Sequence, residues 1–150
     1  MNSRILIIGG YGVFGGRLSA ALLQGNEYDV IVAGRSLQKA EAFCERHGGI
    51  PYTIDIDAID LTEQVRGLAP AIIVDAAGPW QDYGKDPYRV ARAGLACGAH
   101  YLHIISGISC FFYPSITSLF CSFLAAEGGP KFVVFFSKWS KIWDLGFFFG

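Results

Sequence analysis

The chain has 150 residues, which is room for one domain with a sizeable core and too little for two full domains. Its formal net charge of -1 leaves no basic excess to neutralise a phosphate backbone, so nucleic-acid binding is set aside. The four cysteines form no CxxC pair, so we expect no disulfide framework and no metal site, but reduced thiols in a cytoplasmic protein. The apolar run after Arg4 is too short for a secretory signal.

From Arg4 to about residue 104, short apolar runs alternate with segments of helical periodicity, which is the pattern of βα units on a parallel sheet. The predicted strands, in chain order, are Ile5–Ile8, Asp29–Ala33, Ile50–Ile54, Ala71–Asp75 and Tyr101–Ile105. Right-handed connections between such strands place ligands at the carboxyl ends of the sheet. The predicted fold class is therefore α/β, a Rossmann-type doubly wound parallel sheet over residues 1–103.

Four apolar stripes of helical spacing lie between these strands. They consist of Phe14, Leu18, Ala21 and Leu22; of Leu37, Ala40, Cys44 and His47; of Leu61, Val65 and Leu68; and of Val90, Ala93 and Cys97. Asp60 and Glu63 resemble a capping box at the start of the third helix, and Pro70 cannot continue that helix.

A glycine-rich run separates the first strand from the first helix, and it reads Gly9-Gly10-Tyr11-Gly12-Val13-Phe14-Gly15-Gly16. Three of its glycines satisfy the GxGxxG pattern. We expect Gly10 to form the tight turn, Gly12 to let a pyrophosphate approach the backbone, and Gly15 to let the helix pack on the strand. A pyrophosphate would then lie on free N–H groups at the positive end of the helix dipole. The alternative is a glycine-rich turn without a ligand.

The end of the second strand, Ala33-Gly34-Arg35-Ser36, predicts which dinucleotide is bound. NAD enzymes carry an acidic residue there that binds the ribose 2′-hydroxyl, and this chain has none. A 2′-phosphate can instead meet the guanidinium of Arg35, with Ser36 and Lys39 within reach. We therefore predict NADP(H) as the cofactor; the alternative is that Arg35 is an ordinary solvated residue.

Taken in order, these segments resemble the N-terminal NADP-binding domain of the saccharopine dehydrogenase-like family over roughly the first two-thirds of the chain. The resemblance rests on Gly9 to Gly15, Ala33-Gly34-Arg35, Asp55, Ala76-Ala77-Gly78-Pro79, and the run from Ala93-Gly94 through Gly98-Ala99-His100-Tyr101. It implies that Asp55 and Ile56 line the adenine pocket, and that Ala77, Gly78 and Pro79 approach the nicotinamide ribose. From the residues alone, Asp55 is nearly as well explained as the cap of a helix or turn.

The composition changes after His103, which stands where family members usually have an aspartate. Ten of the 12 phenylalanines follow it, and residues 104–126 contain no charged side chain, a length compatible with crossing a membrane. Pro114 and five serines argue against a span, and Lys131–Phe136 has the length of one more strand. We treat residues 104–150 as an apolar tail of uncertain structure: a natural short form, a membrane-directed segment, or a translation out of frame.

No catalytic acid or base is identified from the sequence. His100 and His103 point to opposite faces of a predicted strand and cannot share a metal ion. The leading function is the NADP(H)-binding domain of a saccharopine dehydrogenase-like oxidoreductase that lacks its substrate domain; the alternative is a non-catalytic NADP(H)-binding sensor or interaction module. The substrate and the oligomeric state stay open. The predicted cofactor-binding residues are Gly10, Tyr11, Gly12, Val13, Phe14, Gly15, Arg35, Ser36, Lys39, Asp55, Ile56, Ala77, Gly78 and Pro79.

Overall fold

The computed structural model describes residues 3–78, 83–106 and 132–137. Strands and helices alternate along the first two of these ranges, as the periodicity predicts. The elements are β1 (Ser3–Ile8), α1 (Val13–Gly25), β2 (Tyr28–Gly34), α2 (Leu37–His47), β3 (Ile50–Thr53), α3 (Leu61–Leu68), β4 (Ile72–Asp75), α4 (Arg89–Ala96), β5 (His100–Ser106) and β6 (Phe132–Ser137). The five strands predicted up to residue 105 agree with the observed ones to within two residues at each end.

The six strands form one sheet in the order β3-β2-β1-β4-β5-β6, and every neighbouring pair is parallel. The chain order reverses between β1 and β4, which is the topological switch point of a doubly wound sheet. The predicted fold class is confirmed, and the crevice above β1 and β4 is where such a fold binds a dinucleotide.

Side chains that alternate along β1 feed two separate cores, one on each face of the sheet. Leu6 and Ile8 pack in a cluster with residues of α3 and α4, whereas Ile5 and Ile7 pack in a second cluster that includes Phe43 of α2. Because both faces are covered, the strand reads as a continuous apolar run.

Three details of the helices differ from the predictions. In α1 the buried residues are Gly15 and Ser19, whereas Ala21 is exposed. In α2 the buried residues are Ala40 and Phe43, whereas Leu37 is 44% exposed and His47 is also exposed. The prediction of a capping box at the start of α3 is wrong, because the Asp60 side chain makes no cap hydrogen bond. Its carboxylate accepts from Gln64 Nε2 at 2.9 Å instead. An i,i+4 side-chain pair has replaced the backbone partner that the motif predicted.

β3 lies at one edge of the sheet and contains Pro51. Directly after this strand, the Ile54 amide donates to the Gly34 carbonyl at 3.0 Å. Hydrogen bonding in a parallel strand alternates from one residue to the next, so Pro51 directs its nitrogen away from β2. The edge strand therefore accommodates a proline without losing a bond to its neighbour.

The predicted apolar tail is described only in part. Residues 104–106 belong to β5, so the proposed boundary at His103 falls inside a strand, and β6 coincides within one residue with the strand considered at Lys131–Phe136. The rest of the tail, including most of the proposed membrane segment 104–126, lies outside the described residues. Within the described ranges, no helix is long and apolar enough to cross a membrane.

Candidate dinucleotide site

The turn after β1 is built from glycines that touch backbone on several sides. Gly9 has a φ of +78°, and a Cβ there would lie 2.6 Å from the Ala76 carbonyl oxygen and 2.8 Å from Ala77 Cα. A Cβ on Gly10 would lie 2.8 Å from the Ile7 carbonyl oxygen. The left-handed residue of the tight turn is thus Gly9 and not Gly10, which is required instead for close packing on β1.

The other two glycines of the pattern lie at the start of α1. A Cβ on Gly15 would lie 2.2 Å from the Gly9 carbonyl oxygen, so at this position the helix packs on the loop that follows β1, whereas the sequence predicted packing on the strand. Gly12 is the exposed N-cap residue of α1, where a Cβ would meet only the Gly9 carbonyl oxygen, at 3.1 Å. A ligand can therefore approach the backbone at Gly12 from the solvent side.

The first turn of α1 leaves backbone donors available. Among the described residues, the amides of Val13 and Phe14 have no acceptor, no side chain caps the helix, and its first turn holds no acidic residue. Val13 is 73% exposed. The buried Ser19 hydroxyl donates to the Gly10 carbonyl at 2.8 Å and so fixes the loop from inside the helix. These features suit a bound anion.

The side chain of Tyr11 crosses from the glycine loop to the end of β2. Its hydroxyl accepts a hydrogen bond from the Ser36 amide at 3.0 Å, and its ring lies against Gly34. A Cβ on Gly34 would be 2.5 Å from Tyr11 Oη and 2.7 Å from Cζ. Gly34 is therefore the residue that lets this tyrosine side chain lie across the end of β2.

Arg35 and Lys39 are exposed beside this tyrosine, at the start of α2. The Ser36 hydroxyl oxygen caps α2 by accepting from the Lys39 amide at 3.4 Å. Arg35 makes no hydrogen bond or ion pair within the part of the chain that the structure describes. The structure thus brings Tyr11, Arg35, Ser36 and Lys39 together at the carboxyl end of β2.

Asp55 and Ile56 follow β3, the neighbouring strand. The Asp55 carboxylate accepts from the Asp57 amide at 3.0 Å, so Asp55 caps a turn, the alternative that the sequence left open. Arg89 of α4 contacts the Asp57 carboxylate, and its Nε donates to the Asp86 carbonyl at 2.9 Å. Arg89 thus links the loop after β3 to the segment before α4. A cavity of about 370 Å³, with Ile56 and Arg89 in its wall, lies between these two segments.

Ala77 and Gly78 follow β4 across the crevice from the glycine loop. The Ala76 amide donates to the Ile8 carbonyl at 2.8 Å, which holds this loop against the end of β1. Gly78 has a φ of +159°. The last predicted contact of this segment, Pro79, lies outside the described residues.

A buried polar cluster at the ends of β4 and β5 was missed by the sequence reasoning. Asp75 is fully buried, and its carboxylate accepts from the hydroxyls of Tyr83 at 2.7 Å and Tyr101 at 2.9 Å and from the Ala77 amide at 3.2 Å. Burial and the adjacent Asp75 carboxylate raise the pKa of Tyr101. The cluster anchors the loop that borders the crevice.

His103 completes this cluster, and its surroundings indicate its tautomer. Its Nδ1 lies 3.1 Å from Tyr101 Oη, whose one hydrogen is donated to Asp75, so Nδ1 carries the proton in the neutral ring. Its Nε2 is buried with no hydrogen-bond partner in the described part of the chain.

The residues at this edge fit a dinucleotide. The glycine loop after β1 offers backbone amides in the middle of the edge. Basic side chains without a neighbouring carboxylate lie at the end of β2, and the loop of small residues after β4 lies on the other side. The signal for the buried cluster was present in the sequence as a charged residue ending an apolar strand, Asp75, and as Tyr101 and His103 two apart on one strand face.

The fold is shared with reductases and other enzymes of low sequence identity. It is similar to menthone neomenthol reductase from Mentha piperita, with a TM-score of 0.58 and 12% identity over 87% of this chain and 69% of that one. It is also similar to ribose-5-phosphate isomerase from Brucella melitensis, with a TM-score of 0.63 and 19% identity over 88% of this chain and 65% of that one. A third similar structure is Gre2 from Candida albicans in complex with NADPH, with a TM-score of 0.53 and 15% identity over 70% of this chain and 37% of that one. The chain spans only 38% of a further matching reductase, and no curated protein matches it.

A family model identifies the chain more closely. The model described as the saccharopine dehydrogenase NADP binding domain matches residues 5–119, which is more than half of the chain and extends past His103. The resemblance read from the sequence is confirmed. The chain belongs to the saccharopine dehydrogenase NADP-binding domain family, and its cofactor is NADP.

Proposed function

We propose that this chain is the cofactor-binding domain of a saccharopine dehydrogenase-like, NADP-dependent oxidoreductase. The observation that carries the proposal is the end of β2, where Arg35 is exposed and unpaired among the described residues and no carboxylate follows the strand. A 2′-phosphate carries the charge that this arrangement lacks.

Each part of the cofactor has a corresponding part of the site. The amides of Val13 and Phe14 and the backbone at Gly12 bind the pyrophosphate, while Arg35, Ser36 and Lys39 surround the 2′-phosphate. Their contributions differ in kind, since amides at a helix start favour any anion whereas the guanidinium favours the 2′-phosphate.

The rest of the cofactor lies over the two neighbouring loops. Ile56 borders the adenine, next to the cavity that Arg89 helps to form, and Asp55 holds the turn that carries it. Ala77 and Gly78 lie along the nicotinamide ribose. When bound, the cofactor supplies the hydride chemistry at its nicotinamide, and these residues position it.

The test is a calorimetric titration of the full chain with NADPH and with NADH. Replacing Arg35 by Ala removes charge-assisted hydrogen bonds of about 1.5–3 kcal/mol, so NADPH should bind about 10- to 100-fold more weakly while NADH changes little. Arg35→Glu should weaken NADPH further. The control is Arg46→Glu, an exposed arginine in the last turn of α2. Equal losses for both cofactors would show that Arg35 does not recognise the 2′-phosphate.

A second candidate is a non-catalytic NADP(H)-binding sensor. The observation that favours it is burial, because the titratable groups of the cluster at the ends of β4 and β5 are all at most 7% exposed: Asp75, Tyr83, Tyr101 and His103. None of them presents a proton to a substrate in solution. NADPH consumption with amino or imino acid substrates supports the enzyme, whereas tight binding without consumption and NADPH-dependent capture of a partner protein support the sensor.

A further inference from the structure

We propose that the side chain of Tyr11 binds the 2′-phosphate of NADP(H), so that the glycine loop, through this residue, also selects the cofactor. The inference rests on the proposed function and deepens it. In the usual arrangement of the fold, the loop contacts the pyrophosphate through its backbone and a residue after β2 selects the cofactor. Here one residue of the glycine loop, Tyr11, reaches the end of β2, where the cofactor is selected.

The position of the Tyr11 ring is fixed by the end of β2. Gly34 offers the ring a flat surface, and three ring or hydroxyl atoms lie within 2.8 Å of the place where a Cβ would be. Any larger residue at position 34 would displace the ring. The ring therefore holds one place between the glycine loop and α2 before any ligand arrives.

The Tyr11 hydroxyl is oriented as well as placed. It accepts the Ser36 amide hydrogen at 3.0 Å, which occupies one side of the oxygen. A phenol hydroxyl has one hydrogen to donate, and no acceptor for it exists among the described residues. The hydroxyl is only partly buried, so this donor is available to a ligand at the start of α2.

The charges around this donor favour a phosphate over a neutral hydroxyl. Arg35 and Lys39 are exposed on the same segment, and the Ser36 oxygen lies at the start of the same helix. The nearest loop on β3 contributes Asp55, whose carboxylate accepts the Asp57 amide. A hydrogen bond to an ionised phosphate is roughly twice as strong as one to a neutral group, so Tyr11 discriminates between NADP(H) and NAD(H).

The competing explanation is purely structural: Tyr11 merely fills the space over Gly34 and caps the Ser36 amide. The two explanations differ in what the hydroxyl does for each cofactor. A structural tyrosine supports the loop for NADPH and NADH alike, whereas a phosphate ligand acts on NADPH alone. Adenosine 2′,5′-bisphosphate and ADP extend the comparison to ligands without a nicotinamide.

The experiment is calorimetry on the full chain carrying Tyr11→Phe, with Tyr28→Phe at the other end of β2 as the matched control. We expect NADPH and adenosine 2′,5′-bisphosphate to bind about 10-fold more weakly, while NADH and ADP change less than about 2-fold. Losses of equal size for both pairs of ligands, or no loss for either pair, would overturn the proposal.

A second variant keeps the test decisive if Tyr11→Phe does not fold. Gly34→Ala introduces a Cβ 2.5 Å from Tyr11 Oη, which swings the far end of the side chain away. The Ser36 amide then loses the Tyr11 hydroxyl as its acceptor, while the side chains of Arg35, Ser36 and Lys39 are all retained. Gly34→Ala should weaken the binding of NADPH and adenosine 2′,5′-bisphosphate, as Tyr11→Phe does, and should change the binding of NADH and ADP little. If Arg35→Ala weakens NADPH while both of these variants bind normally, the Tyr11 proposal fails and the proposed function stands. If Arg35→Ala has no effect either, the proposed function fails with it.

Discussion

Replacing Gly15 by alanine should separate the packing role of this glycine from its effect on helix propensity. The new Cβ would lie 2.2 Å from the Gly9 carbonyl oxygen, 2.8 Å from the Gly9 carbonyl carbon and 3.1 Å from Gly10 Cα. All three atoms are backbone, so no side-chain rotation relieves the contact. α1 must move away from the loop, and the loop then loses its fit against β4.

The magnitude follows from two opposing terms. Alanine is better than glycine inside a helix by about 1 kcal/mol. Overpacking costs typically about 1–3 kcal/mol, and the overlap at Gly15 favours the upper part of that range. Gly16→Ala is the matched control, because its Cβ would make an ordinary 3.4 Å contact with Phe43 Cε2. The two variants should differ by about 1–3 kcal/mol, with Gly16→Ala the more stable.

Thermal unfolding measures this difference directly. In a chain of this size, each kcal/mol shifts the melting temperature by roughly 2–4 °C, so the variants should melt about 2–12 °C apart. NADPH titration should show weaker binding for Gly15→Ala alone, since only that variant moves the amides of the loop. If the two variants melt together and bind NADPH equally, the close contact between helix and loop does not constrain position 15.

Two further predictions concern the buried cluster. Asp75→Asn replaces one carboxylate oxygen by a donor facing a hydroxyl, so urea denaturation should show a loss of about 1–3 kcal/mol that the exposed Asp60→Asn does not share. The raised pKa of Tyr101 means that the unfolded chain loses this proton first as the pH passes about 10. Stability from this group is complete below that pH and is lost above it, so Tyr101→Phe should show a shallower alkaline loss of unfolding free energy; equal slopes would contradict the assignment.

The sequence predicted the sheet, its helices and the glycine loop because each has a strong local signal. Continuous apolar runs mark strands covered on both faces, and GxGxxG between a strand and a helix has few other uses. The same reasoning placed Arg35 directly after β2, and the structure has it exposed there, at the carboxyl end of the strand. For these features, the residues that determine the structure are neighbours in the chain.

The features that the sequence did not predict depend on contacts between distant residues. Asp75, Tyr83 and Tyr101 meet only when two strands and a loop are assembled, and no spacing rule links them. The left-handed turn at Gly9 was assigned to Gly10, because the pattern counts glycines and does not show which of them faces the Ala76 carbonyl. The span of Tyr11 across Gly34 likewise requires the register of β1 on β2.

The proline in β3 has a consequence for how molecules of this protein meet. An edge strand offers its outward amides and carbonyls to any other extended chain, which is a common start of aggregation. Here the strand has four residues, and because Pro51 faces outward, one of its two outward positions has no hydrogen to donate. A second chain arriving at this side would find Thr53 as the only outward donor of β3. The β3 edge of the sheet is thus a poor template for strand addition, and the loop that follows β3 can stay open to a ligand without recruiting another copy of the chain.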